Sequence, residues 1–151
     1  MGMSAFGRRV VLMMLSALSA PVGSWALLAP RSFFDGFPGL GRHRVAGDGP
    51  YNEHLVRDVG ALYLALLVLT LSALRRTNAG RARLVGVVWL VFGVPHVGYH
   101  VGHLGGLTVV DQLLSVAALS VVVVLAAALC LPPRACTDRR VTSGGAGSSM
   151  C

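Results

Sequence analysis

The chain has 151 residues, of which 54% are hydrophobic and only 13% charged, with a mean hydropathy of +0.69. A water-soluble domain carries about a quarter charged residues, so this composition excludes that class. The formal charge of +7 comes from arginine alone, thirteen residues with no lysine. These arginines cluster beside apolar runs, which marks membrane orientation rather than a nucleic-acid-binding face.

In chain order, the first apolar run follows Arg8 and Arg9, extends over about 10–29 and contains Pro21 and Gly23. A cleaved secretory signal ending near "SWA" is the rival reading, but the run is longer than a signal core and reads as a first span. The 30–56 segment carries Pro30, Pro38, Pro50 and several glycines, together with Phe33, Phe34, Phe37 and Tyr51. It reads as a turn-rich outer loop with aromatics suited to the headgroup level. The second run, about 57–74, ends at Arg75 and Arg76, and the third, 84–104, starts after Arg81 and Arg83. The fourth, 107–131, ends at Pro132 and Pro133. Each is close to the ~20 residues that a helix needs to cross the hydrocarbon core, and isolated strands cannot cross it at all. The expected fold is therefore all-α: a bundle of four transmembrane helices over residues 1–133. The polar, Gly/Ser-rich tail 134–151 reads as disordered.

Arginine placement sets a direction. The N-terminal segment, the 75–83 loop and the tail hold nine of the thirteen arginines; the 30–58 loop holds four, balanced by four carboxylates, and the 104–111 turn holds none. The positive-inside rule then puts both termini in the cytoplasm and makes the chain a multi-pass protein of the cell membrane, with the lipid bilayer as its first partner. Cys130, Cys136 and Cys151 form no Cys-x-x-Cys pair, and by this topology they stay reduced.

Ionisable residues crowd the outer end. His96, His100 and His103 are spaced i, i+4, i+7, within about 60° of one another on a helix. Trp89, Phe92 and Tyr99 share that side, while Gly98 and Gly102 lie opposite and offer room for close backbone approach. Pro95 leaves the Val91 carbonyl without its helical donor and predicts a kink. On the second span His54 and Asp58 are i, i+4 partners, as are Glu53 and Arg57, and Asp111 opens the fourth span. The expectation is a polar pocket in which these charges face one another rather than lipid. Imidazoles one turn apart, with a carboxylate from a neighbouring helix, can share a transition metal or flank a haem, which makes His54, Asp58, His96, His100 and His103 candidate ligands. Glu53, Arg57 and Asp111 are candidate structural polar pairs. Two other readings stay open: histidines that only hydrogen-bond to backbone carbonyls and lock helices, and a proton- or solute-conducting path.

The sequence holds no Gly-rich phosphate loop, Gly-x-Ser-x-Gly elbow, Cys-x-x-Cys-His haem attachment or His-Glu-x-x-His. Nor does it hold an internal repeat of the kind that builds inverted-repeat transporters. The leading functional expectation is a ligand- or metal-binding membrane protein. The rival is a scaffold or accessory subunit that meets a membrane-protein partner or a second copy of itself. An enzyme, such as a quinone- or metal-linked oxidoreductase, comes third.

At "SFFDGFPG", "PYNEHLVRDVGALYLAL" and "VPHVGYHVGHL", over roughly Phe6 to Leu131, the chain resembles a family of small four-span integral membrane proteins of actinobacteria. That family is distantly similar to the DoxX-like proteins. The resemblance rests mainly on Asn-Glu-His-Leu-x-Arg-Asp, implies a four-helix membrane fold and brings no activity with it.

Overall fold

A computed structural model of the chain describes residues 2–39, 42–47, 49–103 and 108–134. Among them are four helices long and apolar enough to cross a membrane, α1 (Ala5–Leu28), α3 (Glu53–Arg75), α4 (Ala79–Gly102) and α5 (Val109–Leu129). A short helix, α2 (Pro30–Gly36), and a two-residue hairpin, β1 (Pro38–Gly39) with β2 (Arg42–His43), lie between α1 and α3. The architecture is all-α and fits a multi-pass membrane protein. The expected spans coincide with these helices, although α1, α3 and α4 begin several residues earlier. The expected bounds at 104 and 107, and the tail beyond 134, lie outside the described residues.

Local sequence explains where the long helices start. Ser4, Asn52, Asn78 and Thr108 are N-caps, each side chain accepting from the backbone N–H three residues on, at Gly7, Leu55, Arg81 and Asp111. These bonds satisfy amide groups that have no partner inside the helix. Asp111 completes a reciprocal pair with Thr108, whose hydroxyl donates to the carboxylate at 2.7 Å. Helix α4 runs through Pro95 as one element.

The helices associate as two close pairs, α1 on α3 and α4 on α5. Glycine sets both contacts. A Cβ on Gly60 would lie 2.5 Å from the Leu27 nitrogen and 2.9 Å from the Gly23 oxygen, and one on Gly86 would lie 2.6 Å from the Ala126 oxygen. Such backbone approach is how helices gain packing energy in lipid, where burial of apolar surface supplies little drive. Gly98 and Gly102, expected to allow close approach, have nothing within 4 Å of an added Cβ among the described residues. The reason is helical phase: α5 meets α4 on the side of Gly86 and Gly93, and Gly98 is turned about 140° from Gly93.

The two pairs meet in a core built on Leu12, Leu15, Tyr63, Leu66, Val85, Trp89 and Leu129. Trp89 and Thr70 are both fully buried there. The indole N–H donates to the Thr70 hydroxyl at 3.0 Å, and that hydroxyl donates to the Leu66 carbonyl at 2.7 Å. A second cluster closes the opposite end of α1 and α3, where Phe33, Phe34 and Val56 pack with Ala26, Trp25, Phe37 and Tyr51. Elsewhere long side chains face outward, such as Val91 at 72% exposure and Val68 at 69%. Apolar exposure on this scale is the surface that a bilayer covers.

Both ends of the described chain lie together. The Met3 amide donates to the Pro132 carbonyl at 2.9 Å, and the Arg134 amide to Met3 at 3.3 Å. Arg8 is buried and forks onto the Leu129 and Leu131 carbonyls at 3.2 and 2.8 Å. The α2–hairpin segment, the end of α4 and the start of α5 lie at the other end, the loop end.

Candidate functional site

The histidines of α4 extend an aromatic ladder that begins in the core. Tyr63 meets Trp89 and Phe92 edge to face, with centroids 6.2 and 5.4 Å away. Phe92 stacks on His96 at 5.1 Å, and His96 meets His100 edge to face at 4.8 Å. Both imidazoles are half-buried. The i, i+4 spacing that placed them on one face thus also brings their rings into contact. His103 takes a different course, stacking on Tyr99 at 4.1 Å, with Nδ1 2.9 Å from the Tyr99 carbonyl. A carbonyl only accepts, so Nδ1 carries the proton in that bond.

The α3 residues separate into two sets. Glu53 and Arg57 pair at 2.9 Å, and the Arg57 guanidinium also donates to the Leu27 carbonyl at the end of α1. That contact places a cation at the carbonyl end of α1, the electrostatically favoured position. His54 Nε2 lies 3.2 Å from Asp58 Oδ2, but these side chains are 88% and 61% exposed. They therefore point away from the bundle, against the expectation of an inward-facing pocket. Val56, Gly60, Tyr63, Leu66, Thr70 and Ala73 occupy the inner face of α3, which leaves positions 54 and 58 outside it.

Asp111 finds its partner in the loop. Arg44 Nη2 lies 3.6 Å from Asp111 Oδ1, and both side chains are largely shielded, at 17% and 20% exposure. The Arg44 amide donates to the Phe37 carbonyl, and among the described residues its buried Nε has no hydrogen-bond partner. Composition gave Arg44 no special standing. Its partner is far away in sequence, and no periodic pattern connects a loop arginine to a helix start. The loop is further tied by Arg31 with Asp35 at 2.7 Å and by His43 Nδ1, which donates to the Asp35 carbonyl. Arg31 also sits over the Tyr51 ring, 4.9 Å from its centroid. Desolvation pushes the Tyr51 phenol above its ordinary pKa, and the neighbouring Glu53 carboxylate adds to the rise, while Arg31 and Arg57 oppose it.

Of the five candidate ligands, then, His96 and His100 touch each other, His54 and Asp58 form a separate outward pair, and His103 stands beside Tyr99. Among the described residues, no three His, Cys, Asp or Glu side chains gather closely enough to share an ion. Cys130 is a free thiol near the end of α5, with its sulfur 3.7 Å from the Ala126 carbonyl; Cys136 and Cys151 lie outside the described residues. Comparison with protein-family models, with curated proteins and with solved structures returned no match to this chain.

Proposed function

We propose that this chain is a multi-pass protein of the cell membrane, with both termini cytoplasmic, that binds a small ligand or a transition-metal centre at its outer loop end through His96 and His100. The contact between these two half-buried imidazoles carries the reading. Two rings one turn apart offer adjacent nitrogen donors to a metal or haem iron, or a flat polar wall to an organic ligand. Arg44, whose buried Nε has no hydrogen-bond partner among the described residues, favours a ligand that supplies an acceptor oxygen at the same end. Membership of the actinobacterial four-span family belongs to the same proposal.

Protein purified in detergent without chelator tests it. Metal content and the visible spectrum should show a near-stoichiometric metal or haem, or uptake of added Zn, Cu or Fe. His100→Ala should abolish this while leaving helicity unchanged. Wild-type protein that is metal-free and takes up none of these ions removes the metal form of the proposal. The second reading, an accessory or scaffold subunit, is favoured by the use of Arg57 and Arg44 to tie helix ends together. It predicts that His100→Ala alters thermal stability alone.

A further inference from the structure

The outward pair on α3 lies at a depth where lipid is a poor neighbour. Helix α3 covers 53–75, so Asp58 stands six residues from its midpoint at Leu64. At 1.5 Å per residue this is about 9 Å, inside a hydrocarbon half-thickness of about 15 Å. Measured instead from the middle of the apolar stretch 59–74, the distance is about 13 Å, still inside that half-thickness. Tilting the helix shortens both figures. Asp58 is nevertheless 61% exposed, and its companion His54 is 88% exposed. A carboxylate with that much surface in hydrocarbon is costly, and membrane proteins place such groups against protein or water.

The same face continues down the helix. His54, Asp58, Ala61, Ala65, Val68 and Ser72 are all exposed. Their spacing alternates four and three residues through the whole helix. That is the seam of a left-handed helix pair, crossing at about 20°. Ala61 and Ala65 carry almost no bulk, so a partner backbone can come close beneath the polar pair.

We propose that α3 is the homodimer interface, and that the His54–Asp58 pairs of two copies meet side by side across a two-fold axis along the membrane normal. Charge complementarity selects a second copy as the occupant. Donor and acceptor sit one turn apart on one face of one chain, and every copy inserts in the same direction, so across the axis the imidazole of each copy is offset by only about 6 Å along the helix from the carboxylate of the other. Each imidazole can then reach the carboxylate of the other chain, and the isologous geometry of a two-fold satisfies both pairs at once.

Full-length protein lacking native cysteines and carrying Ala65→Cys tests this in membranes. Oxidation should yield a product of twice the chain mass. The control Val91→Cys, at an exposed position on α4, should yield at least tenfold less. Ala61→Phe should lower the dimer fraction at least tenfold at a fixed protein-to-lipid ratio, whereas Val91→Phe should leave it unchanged. Because the face is exposed in the single chain, helicity should be retained in each variant. Wild-type protein that stays monomeric at every lipid ratio overturns the proposal. So does equal crosslinking at Ala65→Cys and Val91→Cys, or a crosslinked product of another mass. The interface is independent of the ligand reading, and His100→Ala should dimerise as the wild type does.

Discussion

Arg8 and Arg9 are adjacent, identical in type and equivalent in any count of charge, yet they do different work. Arg9 is exposed, whereas Arg8 is buried and donates to the Leu129 and Leu131 carbonyls at the end of α5. One residue step turns a side chain by about 100°, enough to move it from the membrane surface into the junction of α1 and α5. Those carbonyls belong to a helix end and lack intrahelical donors, and a charged donor there also complements the helix dipole. A hydrogen bond to a charged group contributes about 1.5–3 kcal/mol, and the cost of burying the guanidinium offsets part of the two made here. Arg8→Met should therefore lower the stability measured by thermal unfolding in detergent by about 2–3 kcal/mol, and Arg9→Met by close to nothing. Equal losses for both would show that the fork to α5 contributes no stability.

At the scale of the helix, glycine position decides which faces meet. Gly60 has the Leu27 backbone where its Cβ would be, so Gly60→Ala forces α1 and α3 apart along their contact. Overpacking of this kind costs about 1–3 kcal/mol. Among the described residues Gly98 has nothing within 4 Å of an added Cβ, and alanine there gains helix propensity of about 0.5–1 kcal/mol. Thermal unfolding should rank Gly98→Ala at or above wild type and Gly60→Ala well below it. The reverse order would mean that α4 packs through its upper glycines. Sequence pattern pointed at Gly98 and Gly102 because they lie opposite a conspicuous histidine face. Nothing in the sequence of α4 says that α5 arrives on the Gly86 side, since that depends on where the neighbouring helix is anchored.

For the molecule as a whole, the adjacency of Met3 and Pro132 puts both ends of the described bundle on one side, and the proposed topology, which follows the arginine bias, makes that side cytoplasmic. Single cysteines at exposed Gly47 and Gly80, in a chain without its native cysteines, lie at opposite ends. In intact cells an impermeant thiol reagent should label Gly47→Cys and spare Gly80→Cys. Labelling of Gly80→Cys alone would invert the orientation.

Four helices, their number and approximate limits were legible in the chain. A membrane imposes a length and an apolar content on every span, and caps such as Asn52 and Asn78 act locally. The i, i+4 pairs, His54 with Asp58 and Glu53 with Arg57, were legible for the same reason, being set by helix geometry within a few residues. Which way those pairs face was decided only by tertiary packing. Once Gly60 seats α3 on α1 and Tyr63 and Thr70 turn toward Trp89, His54 and Asp58 are carried to the outside. Arg44 with Asp111, and Arg8 with the end of α5, were likewise beyond sequence reading. Each joins groups far apart in the chain, and hydropathy and helical phase describe a helix by itself, without its neighbours.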